Sequence, residues 1–262
     1  MAGLSVSVHS EISEIPCAHW NALLTREDNP FVDWRFLAAL EQSGSASPES
    51  GWMACHFAVR RGTELVAVAP AYIKDGSDGD FSRDWEWAAA AERARIPYYP
   101  KLVVGIPFTP VSGRRILFAS GVSSSEQASI LELIVAAARE LMRRHGLGTV
   151  QVLFSNAQQN AQLVEQGLCA RIDFQYHFVN PGYLRTEDFY ARFSSKRRNV
   201  LRREIAAPQA QGVEIRTLRY EELARNLDEY GRLAHALHRS TVDKLVWGRR
   251  WLNQEFYSHS MK

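Results

Sequence analysis

The chain has 262 residues, of which 46% are hydrophobic, and a formal net charge of +2, as in an ordinary globular protein with one large domain or one domain and part of another. Its longest apolar runs, such as LVAVAPAYI, fall short of the roughly 20 residues that span a bilayer, and the N-terminus lacks the basic start and apolar block of a secretory signal. We therefore expect no membrane span and a cytoplasmic location.

The first half of the chain predicts a strand, two helices and a β-hairpin. SVSVHS reads as a strand, and EIPCAHWNALL and VDWRFLAALEQSG read as helices. WMACHFAVRRGTELVAVAPAYI contains two β-rich runs joined by a turn with glycine, which is a hairpin signal. Residues 74–113 follow as a long, largely irregular excursion whose aromatic residues favour an ordered segment.

A long helix dominates the next part of the chain. It runs from about Ser125 to His145, with Ser123 and Glu126 at the spacing of a capping box and Gly146 as its stop. RRILFA precedes it as a strand, and TVQVLF, NAQLVEQG and CARIDFQYHFV follow as strand, helix and strand. The last of these strands places four apolar residues on one side: Ile172, Phe174, Tyr176 and Phe178. Residues 1–181 thus predict a compact mixed α/β, or α+β, domain with a central, mainly antiparallel sheet.

The order of elements begins again after residue 181. GVEIRTLRYEELARNLDEYGRLAHALH predicts a strand, a link and a helix, as VSVHSEISEIPCAHWNALL does near the start. The charge changes at the same place, because residues 1–181 hold 15 Lys/Arg against 19 Asp/Glu whereas residues 182–262 hold 16 against 10. This asymmetry points to a polyanionic partner for the C-terminal part.

A basic helix lies within FSSKRRNVLRREIAA, where Val200, Leu201 and Ile205 can face a core. Its cationic residues are Lys196, Arg197, Arg198, Arg202 and Arg203. Such a run is either a solvated face or an anion-binding surface. We favour anion binding, because exposed helices commonly mix both signs of charge and Glu204 is the only acidic residue in this stretch.

Three stretches resemble a known family. YYPKL, PFTPVSGRR and SSKRRNVLRRE followed by QGVEIRTL are similar to the FemAB-like group of bacterial N-acyltransferases, which is linked with peptidoglycan biosynthesis or recognition. The likeness extends from about Trp20 to Trp251. It implies tandem GNAT-type (acyl-CoA N-acyltransferase) domains, in which an aminoacyl-tRNA donates an amino acid to an amine of a cell-wall precursor.

The resemblance implies that residues 1–181 form a complete GNAT-like domain and that residues 182–262 begin a second, truncated one. It also implies that the basic helix contacts the phosphates of an aminoacyl-tRNA. GNAT enzymes that use acetyl-CoA carry a pattern like Q/R-x-x-G-x-G/A, whereas the corresponding turn here is FASGVSSSEQ, with the single glycine Gly121. We therefore expect the first domain to bind no coenzyme A, and the co-substrate to be an acyl donor, either aminoacyl-tRNA or acyl-CoA.

The irregular excursion supplies the candidate substrate-binding residues. Tyr98, Tyr99 and Thr109 offer hydroxyl groups, and Lys101 could meet an anionic group. The alternative is that these residues only pin a long loop to the sheet, and the sequence leaves both interpretations open. Four charged residues of the excursion are better explained as surface or paired charges than as acid–base groups: Asp84, Glu86, Glu92 and Arg93.

No metal site or catalytic residue is predicted. His235 and His238 lie one helical turn apart without further ligands, and the three cysteines, Cys17, Cys55 and Cys169, fit buried thiols. Acyl transfer to an amine does not require an enzyme nucleophile, so the absence of a catalytic motif does not argue against it.

The function that the sequence favours is N-acyl transfer to a small-molecule or peptide amine, with tRNA as a further partner and no DNA. One alternative is a peptide or glycan recognition module without catalysis. Another is RNA binding through the basic helix alone, which the near-neutral total charge disfavours.

Overall fold

The computed structural model describes residues 3–246 and 248–260; residues 1, 2, 247, 261 and 262, which the predicted domain bounds include, lie outside the described residues. The strands are β1 (Leu4–His9), β2 (Met53–Ala54), β3 (His56–Arg61), β4 (Glu64–Ala69), β5 (Ala71–Lys74), β6 (Lys101–Val104), β7 (Leu117–Phe118) and β8 (Thr149–Val152). The helices are α1 (Cys17–Asn21), α2 (Trp34–Gln42), α3 (Trp85–Arg93), α4 (Ser124–His145), α5 (Ala157–Glu165), α6 (Thr186–Ala191), α7 (Ser195–Ala210), α8 (Tyr220–Leu223), α9 (Leu227–Val242) and α10 (Gln254–Ser260). Short 3₁₀ turns occupy Ile12–Glu14, Pro30–Val32 and Pro48–Ser50.

The strands form two four-stranded sheets, in the orders β1-β3-β4-β7 and β2-β5-β6-β8. All neighbours are antiparallel except β6 and β8, which are parallel. The mixed α/β class and the mainly antiparallel pairing are therefore confirmed. The expectation of one central sheet was wrong, since the described strands make two.

The predicted hairpin crosses from one sheet to the other. Ala69 ends β4 in the first sheet and Ala71 begins β5 in the second, with Pro70 between them. Proline has no N–H to donate, so a ladder is interrupted there. On the facing strand Cys55 separates β2 from β3, and its N–H donates to the Ala71 carbonyl at 2.9 Å. The two halves of one hairpin thereby divide between two sheets.

The long helix α4 lies in the main apolar core. Ile130, Ile134 and Ala138 are buried on one face, as the 3.6-residue period predicts. The Ser123 hydroxyl accepts a hydrogen bond from the Glu126 N–H at 3.3 Å, and Gly146 ends the helix with φ 62°. The predicted limits of this helix are confirmed.

The excursion is largely irregular, as predicted, and contains α3 and β6. One other prediction was wrong. Residues 169–179 are not a strand, since none of the described strands includes this segment. Its side chains Ile172 and Tyr176 are 90% and 95% exposed. Alternating apolar residues predict a half-buried strand only where a sheet edge is available to cover them.

The chain divides into two compact units. The first comprises the described residues of Met1–Ala170 and Asn226–Lys262, and the second is Arg171–Arg225. In the first unit α10 packs on α2, where the rings of Phe256 and Phe36 meet edge to face with centroids 5.7 Å apart. This division differs from the predicted boundary at residue 181, and the truncated second GNAT-like domain stays a prediction. None of the described helices is both long and apolar enough to cross a membrane.

Candidate functional site

The parallel pairing of β6 and β8 stops at the carboxyl ends of these strands. Their ladder runs from the Lys101–Thr149 pair to the Val104–Val152 pair. The Leu153 N–H then donates to the Val104 carbonyl at 2.9 Å. The Leu153 carbonyl accepts instead from the Nε of Arg115 at 2.8 Å, so a side chain ends the pairing. In open sheets, ligands bind outside the carboxyl ends of parallel strands, which makes this edge the candidate site.

Arg115 is fully buried at this edge. Besides Leu153, its guanidinium donates to the carbonyls of Arg114 and Val111. No carboxylate lies within ion-pair distance of it in the part of the chain that the structure describes. Burial lowers the pKa of the Arg115 guanidinium to about 10, so it stays cationic at neutral pH. Three backbone carbonyls therefore hold a buried cation that shapes residues 111–115.

The loops at the edge have strained backbones. Phe108 follows β6 with φ 57°, and Phe154 follows β8 with φ 58°. Non-glycine residues rarely adopt positive φ, and such strain is concentrated at functional sites. Gly113 ties the loops together, because its N–H donates to the Phe154 carbonyl at 3.0 Å. A Cβ atom at Gly113 would lie 2.6 Å from Nδ2 of Asn29, so a larger residue there would have to displace the Asn29 amide.

Two hydroxyl groups lie at this edge. Thr109, one of the predicted site residues, is buried, and its hydroxyl donates to the Pro107 carbonyl at 2.9 Å. Ser155 is half-buried directly after Phe154, and its hydroxyl makes no hydrogen bond with any described residue. Sequence reasoning missed Arg115 and Ser155, because neither belongs to a periodic pattern that distinguishes a buried or convergent polar residue from a surface one.

The other three predicted substrate residues meet at the opposite, amino-terminal end of β6. The Lys101 ammonium lies 2.7 Å from Oδ2 of Asp80 and 2.6 Å from Oδ2 of Asp84. None of the three side chains has exposed area. The anionic partners of Lys101 are thus two carboxylates of its own chain, and Thr109 lies apart from them.

Both tyrosines join this buried cluster. The Tyr98 hydroxyl donates to Oδ2 of Asp84 at 2.8 Å, and the Tyr99 hydroxyl lies 2.7 Å from Oγ of Ser77. Oγ of Ser77 also accepts from the Lys101 ammonium at 2.6 Å. These contacts hold residues 77–84 against the sheet, which is the alternative to substrate binding that the sequence left open. A substrate role for Tyr98, Tyr99 and Lys101 stays a prediction.

The cluster perturbs the acidity of its members. Burial opposes ionisation of Asp84, but hydrogen bonds from Lys101 and Ser77 outweigh it and hold the pKa of this carboxyl well below its usual range. Burial and the hydrogen bond to Asp84 raise the pKa of Tyr98. Burial lowers the pKa of the nearby Lys74 to about 8, with its ammonium 3.8 Å from the centre of a Trp52 ring. Asp84 is therefore a paired charge, as predicted.

The basic helix α7 has an exposed cationic surface. Lys196, Arg197, Arg202 and Arg203 are exposed, and Arg198 is half-buried, donating to the Phe193 carbonyl at 3.0 Å. No ion pair involves these five residues within the described ranges. The predicted core-facing side was wrong, because α7 buries no residue and Ile205 is 62% exposed.

The sequence profile of the FemAB-like family, described as peptidoglycan biosynthesis/recognition, matches residues 11–262. The chain belongs to the FemAB-like family. No curated protein matches its sequence. A crystal structure of ribosomal-protein-alanine N-acetyltransferase from Brucella melitensis biovar Abortus 2308 superposes with a TM-score of 0.36 and 12% identity, covering 68% of this chain and 99% of that chain. A superposition at this level is too weak to assign a fold.

The first turn of α4 is capped by residues of its own chain. Gly121 has φ 88° and lies before α4. The Ser123 hydroxyl caps the helix, and the Glu126 carboxylate in its first turn pairs with Arg61. A pyrophosphate at this helix N-terminus would displace the serine cap and face the glutamate charge.

The histidine and cysteine side chains form no metal-ligand set within the part of the chain that the structure describes. His56 is buried, with Nε2 2.7 Å from Glu41 and Nδ1 accepting from the Ala71 N–H, so both ring nitrogens have partners. Burial raises the pKa of the Cys55 thiol to about 12. Cys169 is exposed and Cys17 is half-buried, so the prediction of three buried thiols was wrong for these two. No group of three or more His, Cys, Asp or Glu residues able to hold a metal occurs among the described residues.

Proposed function

We propose that this FemAB-like chain is an N-acyltransferase that moves an acyl or aminoacyl group to an amine of a peptidoglycan precursor. The observation that carries the proposal is the end of the β6–β8 pairing beyond Val104, where the Arg115 side chain takes the Leu153 carbonyl. Ligands of open α/β sheets bind outside the carboxyl ends of parallel strands, and we place the acyl or peptide group at this edge on that ground. The family match to peptidoglycan biosynthesis/recognition supports the class of acceptor.

The chemistry needs few enzyme groups. The acceptor amine attacks the acyl carbonyl, a tetrahedral oxyanion forms, and the donor's leaving group departs as the amine loses a proton. In this chain the edge loops would position the acyl group, with Arg115 holding residues 111–115 in place and the Ser155 hydroxyl contacting the substrate. We assign no residue to proton removal.

We favour aminoacyl-tRNA over acyl-CoA as the donor, because α7 offers exposed arginines for phosphates while the α4 turn is capped by its own chain. A cytoplasmic location belongs to the same proposal, since charged tRNA is a cytoplasmic substrate.

Acetyl-CoA is expected to bind weakly or not at all. The capped first turn of α4 and the carboxylate of Glu126 oppose a pyrophosphate there. Isothermal titration calorimetry with acetyl-CoA checks this, and micromolar affinity would show that the coenzyme uses another part of the surface.

The direct test of function is transfer of a labelled amino acid from a mixture of aminoacyl-tRNAs to a peptidoglycan stem peptide that carries a free amine. Labelled peptide supports acyl transfer. Binding of the stem peptide without transfer from either aminoacyl-tRNA or acyl-CoA supports the recognition module instead.

The recognition alternative has its own support, because Lys101, Asp80 and Asp84 are buried and paired, so this cluster offers no free acid–base group.

Ser155→Ala is expected to lower kcat/KM for transfer about tenfold, the effect of losing one hydrogen bond to a substrate. Stability should not change, since the hydroxyl has no hydrogen-bond partner among the described residues. Ser129→Ala on α4 is the matched control, because it removes a hydroxyl that bonds only its own helix. If both variants are equally active, the Ser155 hydroxyl does not contact the substrate.

A further inference from the structure

The first sheet ends at a long edge strand, β1, without the usual protection. In the order β1-β3-β4-β7, the other side of β1 pairs with no strand in the part of the chain that the structure describes. β1 has six residues, whereas the edge strands β2 and β7 have two each and β8 has four. Bulges, prolines and charged side chains keep exposed edges from pairing. β1 has no Pro, Lys, Arg, Asp or Glu, and no register shift against β3.

The outer edge of β1 is accessible. In an antiparallel ladder, alternate residues direct their N–H and C=O groups away from the partner strand. Outside the ladder with β3, no described residue makes a backbone hydrogen bond with Leu4–His9. The Ser5 and Ser7 side chains are exposed, and Val8 is 42% exposed. The edge can therefore accept a further strand.

The strand is complementary to itself in one antiparallel register. When two copies pair with Val6 opposite Val6, Leu4 of each copy faces Val8 of the other, so all three apolar residues face apolar residues. On the other face of the sheet, Ser5 lies opposite Ser7, and their hydroxyls can bond each other. No pair in this register contains a charged residue other than a protonated histidine.

Other registers lose part of this match. A centre between two residues places Val6 opposite Ser7, whose side chains belong to opposite faces. A register centred on Ser7 places Leu4 opposite Ser10, where the strand has ended and the N–H is bonded to the Glu14 carboxylate at 3.0 Å. A register centred on Ser5 leaves Val8 beyond the end of the facing strand.

The Val6 register extends an existing sheet. A two-fold axis perpendicular to the sheet keeps the same face of both copies on the same side, so the two four-stranded sheets continue as one of eight strands. Leu4 and Val6 pack against the core that contains the buried face of α4, so the facing apolar residues lie beside both cores. Such a sheet has the hydrophobic face that an isolated two-stranded ribbon lacks.

We infer that β1 is an interaction surface whose partner is a second copy of this chain, joined antiparallel across the two β1 strands with Val6 opposite Val6. Backbone hydrogen bonds along the edge supply the attachment, and the facing apolar residues fix the register. The inference does not depend on the proposed function, because β1 contains no residue of the candidate site.

Sedimentation velocity of the purified chain over a concentration series should show a species of twice the monomer mass of 29.7 kDa. Ser5→Glu with Ser7→Glu should leave only the monomer, because the new carboxylates lie opposite one another between the two copies. Within one chain Ser5 lies opposite Arg60, so a carboxylate there has a cation beside it.

The matched control for the edge variant is Gln158→Glu with Ser240→Glu, which adds the same two charges at exposed positions elsewhere in the first unit and should still dimerise. A wild-type protein that is monomeric at every concentration overturns the inference. A dimer that survives the changes at Ser5 and Ser7 overturns it as well.

Disulfide trapping tests the register. In a background with Cys17→Ser and Cys169→Ser, one protein carries Ser5→Cys and another carries Ser7→Cys. These two positions lie directly opposite each other across the pair, at the Cα separation of about 5 Å that a disulfide allows. The two copies of either variant alone place their thiols on Cα atoms about 8 Å apart, which a disulfide does not span. Cross-linked dimers in the mixture alone support the inference. Cross-linking of either variant by itself, or none in the mixture, contradicts it.

Discussion

Lys101→Met is expected to destabilise the first unit by about 3–5 kcal/mol, because it leaves the buried carboxylates of Asp80 and Asp84 without their cation. All seven tryptophans lie outside residues 171–225, so tryptophan fluorescence during urea unfolding reports on this unit. Lys244→Met, at an exposed lysine, is the matched control and should not change the unfolding midpoint measurably. If the Lys101 variant is as stable as the wild type, water must hydrate the two carboxylates and offset the loss of their cation.

The triple variant Lys101→Met, Asp80→Asn, Asp84→Asn separates lost charge from lost packing. It should recover part of the lost stability, because no unpaired charge stays buried. If the triple variant is no more stable than Lys101→Met alone, the cost comes from packing rather than from the ion pairs.

Lowering the pH should reduce the difference in the free energy of unfolding between Lys101→Met and the wild type. The folded-state pKa of Asp84 is lowered, so its contribution to wild-type stability is present above the unfolded pKa of about 3.9 and is lost as the pH falls from there toward the lower folded-state pKa. In the variant the unpaired buried carboxylates have raised pKa values, so protonation relieves their burial. Urea unfolding of both proteins at pH 7 and at pH 4 measures this difference in the free energy of unfolding at each pH.

The regular elements of the first unit followed from the sequence where a local signal was strong. Helix α4 has a serine cap, a continuous apolar face and a terminal glycine, and its bounds came out as predicted. The sequence did not predict that the hairpin divides at Cys55 and Pro70, because the division depends on which strands pair with each half of the hairpin. Residues 171–179 carried the pattern of a strand, but the pattern does not provide a neighbouring edge.

The candidate site was predictable only in part. YYPKL and PFTP indicated an ordered, polar excursion, and the structure divides them between opposite ends of β6. Lys101 looks like an anion-binding residue in the sequence, yet its partners Asp80 and Asp84 lie in a Gly/Asp-rich stretch without a period. Arg115 follows another arginine, and only the three-dimensional position of the Leu153 carbonyl distinguishes the buried one from the surface one.

The exposed basic surface of α7 is expected to bind RNA through phosphates. Lys196, Arg197 and Arg203 are exposed and have no ion pair within the described residues, whereas Arg198 bonds the Phe193 carbonyl and Arg202 lies over the Tyr190 ring. Lys196→Glu with Arg197→Glu and Arg203→Glu therefore reverses three charges without removing an intrachain contact. We expect tRNA affinity to fall by about two orders of magnitude or more, because each phosphate contact carries a large electrostatic share of binding.

Salt dependence distinguishes phosphate contacts from other losses. The slope of log affinity against log salt should be shallower in the α7 variant by about 2–3, the number of phosphate contacts removed. The matched control reverses three exposed arginines of the first unit, Arg26, Arg93 and Arg95, with the same change in net charge. Because its α7 surface is intact, the control should keep most of the wild-type affinity and its slope. Equal losses in both variants would mean that only the total charge attracts RNA, and absence of salt-dependent tRNA binding by the wild type would leave α7 as a solvated face.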